Sequence, residues 1–449
     1  MDNEEPARPA SAPPAWVECA EPLEGSYFVS TYPPFSTWRA EHLGRVESVL
    51  ASRQEGAGPL GLYVHIPFCA KRCDYCYYLS YSGQAAERID IYIEALLREL
   101  ALYRDTPALA GRGPLFVYFG GGTPSLLSVR RLARLLEGLQ ALMPWGAAQE
   151  VTFECAPRSV TGEKLRLLRG LGVTRISLGV QQFDDGVLEA NGRIHTVSDV
   201  LRAYAEVREH DFQVVNLDLM VGLVGETERT FFDGLDRTLE MQPDSVTIYP
   251  LEIPLNTPLY RALSSGAQPE PPAPWEVKRK RLMQAFKRLE RGGYVVRSAY
   301  AAVRDPRRHL FVYQDELYRG ADLLGLGAAS YSYIAGVHYQ NLATLEQYLE
   351  SVGDGRRPLF RAHALSDEER CIREFVLQLK LGTAEASGFG RKFGVDITRR
   401  FADPLRRFGE RGWLTVDDRG VRMSRDGLLR VDRLLPGFYL PEHAGVRYS

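Results

Sequence analysis

Short runs of β-branched and aromatic residues alternate with longer amphipathic stretches between residues 61 and 249. The runs are 61–66, 115–119, 151–154, 175–178, 214–219 and 245–249, and the amphipathic stretches are 87–103, 129–142, 162–171, 197–209 and 228–241. Strand–helix alternation requires parallel strands joined by crossover helices. We therefore predict an α/β fold whose six units form a partial (β/α)6 barrel. Periodicity alone does not distinguish this barrel from a doubly wound sheet.

Changes in composition suggest several further segments along the chain. The predicted organisation is a disordered tail over 1–25, an N-terminal extension over 26–58, the partial barrel over 59–300, a barrel extension and linker over 301–365, and a C-terminal module over 366–449. The tail is acidic and rich in proline and alanine, which disfavours a packed core. In the C-terminal module, Ser366 is placed as an N-cap before a helical pattern, and 409–423 is typical of a hairpin. Helices followed by a hairpin predict a small helical, winged-helix-like module.

Composition limits the classes of partner. The 449 residues are 45% hydrophobic and 25% charged, with a formal net charge of −2. These values are typical of a globular protein, and there is no basic tract for nucleic acid or for an anionic membrane surface. No apolar run reaches the ~18 residues that a membrane span requires. We therefore expect a cytoplasmic protein that binds a small-molecule substrate, without nucleic acid and without a membrane span.

Three of the six cysteines lie in one short loop directly after the first predicted strand. They are Cys69, Cys73 and Cys76, spaced Cys-x3-Cys-x2-Cys. Crowded thiols in a cytoplasmic protein indicate metal binding more than a disulfide framework. Thiolates favour either zinc or an iron–sulfur cluster. Because structural zinc takes four ligands and no fourth cysteine or histidine follows at finger spacing, the loop favours a [4Fe–4S] cluster with one open iron.

The segment Tyr63-Val-His-Ile-Pro-Phe-Cys69 resembles the signature of the oxygen-independent coproporphyrinogen III dehydrogenase family of radical S-adenosylmethionine (SAM) proteins. That family includes haem chaperones and class C methylases, and the resemblance covers roughly residues 60–435. It implies that the three cysteines hold the cluster and that SAM binds the open iron and is cleaved reductively to a 5′-deoxyadenosyl radical. It also implies a flavodoxin- or ferredoxin-type reductant, a place for Tyr63 in the cofactor pocket, and a place for His65 beside the cluster.

The resemblance assigns further residues near the carboxyl ends of successive predicted strands to SAM. They are Gly121, Gly122, Thr123, Glu154, Gln181, Arg193 and Asp218. The glycine segment would receive the methionine ammonium, since glycine allows close backbone approach. Glu154 would contact the ammonium or a hydroxyl, and Arg193 would face the carboxylate, which suits a guanidinium fork. Gln181 and Asp218 would contact the ribose.

One departure from the family pattern bears on the reaction. The coproporphyrinogen enzymes carry a fourth cysteine two residues after the third, where this chain has Tyr78. The segment Cys76-Tyr-Tyr also differs from the Cys-Asp-Phe of the haem chaperones. These differences favour a class C methyltransferase or cyclopropane synthase that uses two SAM molecules and acts on an sp2 carbon, with Tyr78 and the cysteines at the reaction site. An oxidative decarboxylase of the coproporphyrinogen type and a haem chaperone remain open alternatives.

Overall fold

The computed structural model describes residues 28–54, 56–268 and 270–445, so the predicted tail over 1–25 lies outside the described residues. The strands are β1 (Leu60–Ile66), β2 (Phe68–Cys69), β3 (Tyr81–Ser82), β4 (Phe116–Gly121), β5 (Glu150–Cys155), β6 (Arg175–Gln181), β7 (Val214–Val221), β8 (Ser245–Pro250), β9 (Val295–Val296), β10 (Ala301–Val303), β11 (Asp322–Leu326), β12 (Tyr331–Ile334), β13 (Val337–Asn341), β14 (Leu359–Ala364), β15 (Thr383–Glu385), β16 (Leu414–Asp417) and β17 (Gly420–Met423). The helices are α1 (Leu43–Leu50), α2 (Ala86–Arg104), α3 (Val129–Leu142), α4 (Gly162–Gly170), α5 (Asp185–Ala190), α6 (Val197–Arg208), α7 (Glu228–Met241), α8 (Pro258–Ser264), α9 (Trp275–Arg291), α10 (Val312–Tyr318), α11 (Leu345–Gly353), α12 (Asp367–Leu379), α13 (Ala386–Phe393), α14 (Ile397–Arg400), α15 (Ala402–Glu410), α16 (Arg425–Leu428) and α17 (Val431–Leu434). Among the described residues, none of these helices is long and apolar enough to cross a bilayer.

The main sheet has twelve strands in the order β14-β13-β12-β11-β1-β4-β5-β6-β7-β8-β10-β9. Strands β1, β4, β5, β6, β7 and β8 are neighbours and run parallel. Helices α2, α3, α4, α6 and α7 connect them along the chain. The described sheet ends at β14 and β9 without closing on itself. This open arrangement of six parallel strands confirms the predicted partial (β/α)6 barrel.

Helix α3 illustrates why the alternation in the sequence folds in this way. Its apolar residues recur at helical spacing and are buried: Leu132, Leu135, Leu136 and Leu139. The Ser128 side chain accepts a backbone N–H in the first turn, which fixes where the helix begins. Burying each leucine contributes about 1.5–3 kcal/mol. The helix is therefore stabilised mainly by its contact with the core of the barrel.

Residues 301–365 contribute strands to the main sheet, which was not predicted from the sequence. Within this segment, expected to be an extension and linker, β11 pairs parallel with β1, and β12, β13 and β14 continue the sheet in antiparallel order. Gly325 lies inside β11. A Cβ atom there would lie 2.2 Å from the Tyr331 carbonyl oxygen, so only glycine permits this strand contact. A turn follows, at Gly327 and Ala329, both with positive φ.

The C-terminal module contains helices α12–α17 and a three-stranded sheet in the order β15-β17-β16. Ser366 caps α12 in a capping box with Glu369, at the predicted position, and the hairpin of β16 and β17 lies within 409–423. The hydrophobic core of the module also includes Val29 and Tyr32. Residues from the predicted N-terminal extension therefore pack against the far end of the chain.

A buried ion pair joins these distant segments. Lys380 has a fully buried side chain, and its Nζ donates to Asp432 Oδ1 at 2.7 Å and to the Val29 carbonyl at 2.7 Å. The Val29 N–H donates to the same Asp432 oxygen at 2.8 Å, and the Tyr300 hydroxyl donates to the other. Burial lowers the pKa of Lys380 and raises the pKa of Asp432. Each charge is therefore maintained by its contact with the other.

We expect Lys380→Met to destabilise the fold by about 3–5 kcal/mol, because it leaves the carboxylate of Asp432 buried without its cation. The control is Arg399→Met, which removes a contact of 3.3 Å to Asp396 from an arginine side chain that is 89% exposed. Surface pairs contribute about 0–1 kcal/mol, so the control should differ little from the wild type. Urea unfolding followed by circular dichroism measures both. Equal effects of the two substitutions would show that the buried pair is not important for stability.

Candidate functional site

A cavity of about 730 Å³ lies at the carboxyl ends of the parallel strands. Small-molecule sites typically occupy ~300–1,000 Å³ and lie at this edge of an α/β sheet. Its wall brings together eleven of the residues predicted from the sequence: Cys69, Cys73, Cys76, Tyr78, Gly121, Gly122, Thr123, Glu154, Gln181, Arg193 and Asp218. Tyr63 is not among the residues that line the cavity.

The three loop cysteines are half-buried free thiols. Arg193 Nη1 donates to Cys73 Sγ at 3.1 Å, and the Thr123 hydroxyl donates to Cys69 Sγ at 3.5 Å. Burial raises the pKa of Cys69, and it raises the pKa of Cys76 to about 11. Within the described residues, no three histidine, cysteine or carboxylate side chains converge on a single metal ion. A cubane does not require such convergence, since each thiolate binds a different iron.

The glycine segment is held directly against the cysteine loop by backbone hydrogen bonds. The Gly122 N–H donates to the Ile66 carbonyl at 2.8 Å, and the Thr123 N–H donates to the Phe68 carbonyl at 2.8 Å. A Cβ atom on Gly122 would lie 2.9 Å from the Ile66 oxygen and 3.0 Å from Cys69 Sγ. Any other residue at this position would therefore push the two segments apart, which explains the glycine.

Tyr63 and His65 lie on β1 and connect it by hydrogen bonds to Leu79, just after the cysteine loop. His65 Nε2 lies 3.3 Å from the Leu79 carbonyl, which can only accept, so Nε2 carries the proton. His65 Nδ1 then accepts from the Tyr63 hydroxyl at 3.2 Å. Burial lowers the pKa of His65 to about 4, so the ring is neutral at physiological pH. Tyr63 stacks on Tyr118 with ring centroids 5.9 Å apart, and its contact with a cofactor stays a prediction.

Two carboxyl groups extend into the cavity from β5 and β7. Glu154 accepts a hydrogen bond from the Tyr118 hydroxyl at 2.7 Å, and burial raises its pKa to about 7. Asp218 accepts from Ser177 at 2.7 Å and from Asn216 at 2.9 Å, and burial raises its pKa as well. A cation or hydrogen-bond donor in the cavity would favour the charged form of both groups. Carboxyl groups with raised pKa values in a cleft are typical of functional sites.

Gln181 reaches the cavity from an unusual backbone conformation. Its φ is +68°, and the register of β6 against β7 shifts between Gly179 and Gln181. A non-glycine residue in this region costs about 1–3 kcal/mol, a strain that often occurs at binding sites. The bulge redirects the Gln181 side chain at the strand end. Arg193 Nη2 donates to the Gly179 carbonyl at 2.9 Å, which fixes the guanidinium beside the bulge.

An aromatic wall borders the same cavity and includes residues that the sequence analysis did not identify. Tyr77 stacks on Tyr78 with centroids 4.6 Å apart, Tyr249 stacks on Tyr300 at 5.6 Å, and Phe28 lies 5.5 Å from Tyr300. Phe28 and Tyr300 come from segments far from the cysteine loop in sequence. No local motif marks them, since only tertiary packing brings them to the cavity.

Comparison with known proteins identifies relatives over most of the chain. Residues 63–237 match the family model of the radical SAM superfamily. The haem chaperone HemW of Bacillus subtilis is 28% identical over 382 residues, which cover 84% of this chain and 98% of that protein. The oxygen-independent coproporphyrinogen III oxidase of Escherichia coli is 28% identical over 408 residues, which cover 87% of this chain and 88% of that protein.

Structural similarity extends beyond the barrel. The solved structure of coproporphyrinogen III oxidase HemN from Escherichia coli, a radical SAM enzyme, superposes with a TM-score of 0.80 at 26% identity. The match covers 92% of this chain and 96% of that one, and so extends into the C-terminal module. The segment matched by the superfamily model contains the cysteine loop, the glycine segment, Glu154, Gln181, Arg193 and Asp218. The chain therefore contains a radical SAM domain and is similar over most of its length to oxygen-independent coproporphyrinogen III oxidases and haem chaperones.

Proposed function

We propose that Cys69, Cys73 and Cys76 hold three irons of a [4Fe–4S] cluster and that SAM binds beside it in the cavity. The donor set supports this assignment, since three free thiols share one loop next to a glycine segment that also lines the cavity. When bound, the cluster supplies the electron that cleaves a carbon–sulfur bond of SAM. The chain's own contribution is to position the three sulfur atoms, and Arg193 Nη1 contacts Cys73 Sγ at 3.1 Å.

The carboxyl groups of the cavity are proposed to orient SAM. Glu154 would accept from the methionine ammonium and Asp218 from the ribose hydroxyls, because a carboxylate forms charge-assisted hydrogen bonds with both kinds of donor. Ser177 and Asn216 hold Asp218 in one orientation, and Tyr118 does the same for Glu154. Arg193, which already contacts Cys73 and Gly179, would pair with the SAM carboxylate.

For the reaction, we propose oxidative decarboxylation of a carboxylate-bearing tetrapyrrole. The observation that carries this proposal is the match to the Escherichia coli oxidase over both the barrel and the C-terminal module, since residues of that module line the cavity. In the balanced reaction, a propionate side chain loses a hydrogen atom, carbon dioxide and one electron and becomes a vinyl group. The hydrogen atom is recovered in 5′-deoxyadenosine, and the electron passes to a one-electron acceptor.

Haem binding by a chaperone is the second candidate. It is favoured by the match to the Bacillus subtilis haem chaperone, which covers 98% of that protein, and by Tyr78 at the position of the fourth cysteine. The aromatic wall suits a planar ring in either case. Methyl transfer, which the sequence analysis favoured, gains no support from these relatives, and we do not propose it.

We expect the anaerobically reconstituted chain to bind about four irons. Changing Cys69, Cys73 and Cys76 together to alanine should abolish the iron content and the brown absorbance. The matched control is Cys155→Ala, because Cys155 also lines the cavity but lies outside the loop. Iron analysis and visible spectroscopy measure both. Iron retained by the triple variant, or lost in the control, would contradict the assignment.

SAM affinity should depend on pH through Glu154. Its pKa of about 7 means that the carboxylate is present above pH 7 and is protonated as the pH falls. We therefore expect SAM affinity to fall about tenfold between pH 8 and pH 6. Glu154→Gln should bind SAM about 10- to 150-fold more weakly at pH 8, with little dependence on pH. Equilibrium dialysis measures the affinity for SAM at each pH. The control is Glu163→Gln, on the exposed surface of α4. If Glu154→Gln kept the pH dependence of the wild type, the Glu154 carboxylate could not be the cause of that dependence.

Anaerobic incubation of the reduced protein with SAM and coproporphyrinogen III tests the reaction. A decarboxylase should release carbon dioxide and 5′-deoxyadenosine in equal amounts and produce vinyl groups, detected by mass spectrometry. Stoichiometric haem binding without carbon dioxide would support the chaperone instead. Formation of S-adenosylhomocysteine with an added carbon on the substrate would support methyl transfer and contradict both the decarboxylase and the chaperone.

A further inference from the structure

The residues that line the cavity carry more positive charge than the chain as a whole. Its described lining includes eight lysines and arginines against four aspartates and glutamates, although the whole chain has a formal net charge of −2. A cleft lined by one sign of charge concentrates ligands of the opposite sign. The cavity therefore favours a ligand with negative charge in addition to SAM.

Two of these arginines line the cavity from separate parts of the fold. Arg279 lies on α9, and Arg430 lies between α16 and α17 of the C-terminal module. The Arg430 guanidinium lies 5.0 Å from the Trp413 ring centroid, and the Arg279 guanidinium lies 5.5 Å from that of Trp275. Arginine is often held over an aromatic face in this way. The ring attracts the cation, and the N–H groups at the edge of the guanidinium stay available to bind a ligand.

Nearby carboxylates balance the charges of the two guanidinium groups to different degrees. Arg430 is paired with Asp426, with its Nη2 2.5 Å from Oδ1. Burial and the nearby charge of Arg430 lower the pKa of Arg279 to about 10, although Asp426 acts in the opposite direction. Asp432, two residues after Arg430, is paired with Lys380 at 2.7 Å. An anion that contacts both arginines would reduce their repulsion and stabilise the charge of Arg279.

The other basic residues of α9 have separate roles. Arg281 pairs with Glu226 at 2.6 Å, and Lys278 donates to the Leu251 carbonyl at 2.6 Å. Of the lysines and arginines on this helix, all of them described, Arg279 alone lines the cavity. On α9, Arg279 is therefore the basic residue that is positioned to contact a ligand in the cavity.

We propose that Arg279 and Arg430 form a carboxylate subsite that receives an acidic side chain of the substrate, while the ring of the substrate lies against Tyr249 and Tyr300. The subsite depends on the proposed function in one respect only, namely that the ring of the substrate is a tetrapyrrole. Guanidinium groups bind carboxylates in a bidentate manner, which fixes both position and orientation. The subsite would therefore determine which side chain of the substrate faces the cysteine loop.

Fluorescence titration of the reconstituted chain with coproporphyrin III and with its tetramethyl ester tests this subsite without turnover. The wild type should bind the free acid at least tenfold more tightly than the ester, which has no carboxylates. Arg279→Gln and Arg430→Gln should each weaken binding of the acid roughly 10- to 100-fold and leave the ester unchanged. The control is Arg425→Gln, from the same segment as Arg430, whose guanidinium contacts Glu290 at 2.6 Å and does not line the described cavity. SAM binding and circular dichroism check that each variant is folded.

Several results would overturn the subsite: no binding of either compound, equal binding of acid and ester, unchanged affinity in both variants, or the same loss in Arg425→Gln. The outcome is separable from that of the proposed reaction. Arginine-dependent binding of the acid without carbon dioxide release would keep the subsite and exclude the decarboxylase. Carbon dioxide release with unchanged acid binding in both variants would keep the decarboxylase and exclude the subsite.

Discussion

The functional site depends on two backbone hydrogen bonds between the loops that follow β1 and β4. Gly122 and Thr123 donate to Ile66 and Phe68, and these contacts hold the glycine segment against the cysteine loop. The thiols are therefore positioned by the edge of a sheet and not by a free loop. Strand ends give more precise geometry than loops, which matters where three ligands must reach one cluster. The missing side chain of Gly122 is what allows this contact.

Charged groups reach the cavity from several parts of the fold. The barrel contributes Glu154 and Asp218, whose burial raises their pKa values, and also Arg193, whereas Arg279 comes from α9 and Arg430 from the C-terminal module. Under the proposed assignments, SAM would contact the barrel groups and an acidic substrate would contact Arg279 and Arg430. Neither ligand would then have to displace the other's partners.

The sequence alone was sufficient to predict the barrel and many of the residues that line the cavity. The period of the apolar residues predicts α3 and α7 with the bounds that the structure has, because each buries one face against a neighbour. The site residues near strand ends are predictable for a similar reason, since the carboxyl ends of parallel strands share one edge of the sheet.

Other features required the structure. Strand β11 is short and contains Gly325, so its place beside β1 is set by packing across the sheet and not by local pattern. Phe28, Arg279 and Arg430 reach the cavity from three separate regions of sequence, and no spacing relates them to the cysteine loop. The role of Tyr63 stays a prediction, since the family motif indicates a cofactor contact and the structure shows its hydroxyl bonded to His65.

The contact between Val29 and Asp432 joins residues 403 positions apart. Val29 is synthesised long before its partner, so this contact forms only after translation has passed Asp432. The parallel strands of the barrel pair with neighbours much closer in sequence and can fold earlier. The strands that position the cysteine loop can therefore pair before the residues of the C-terminal module that line the cavity have been made.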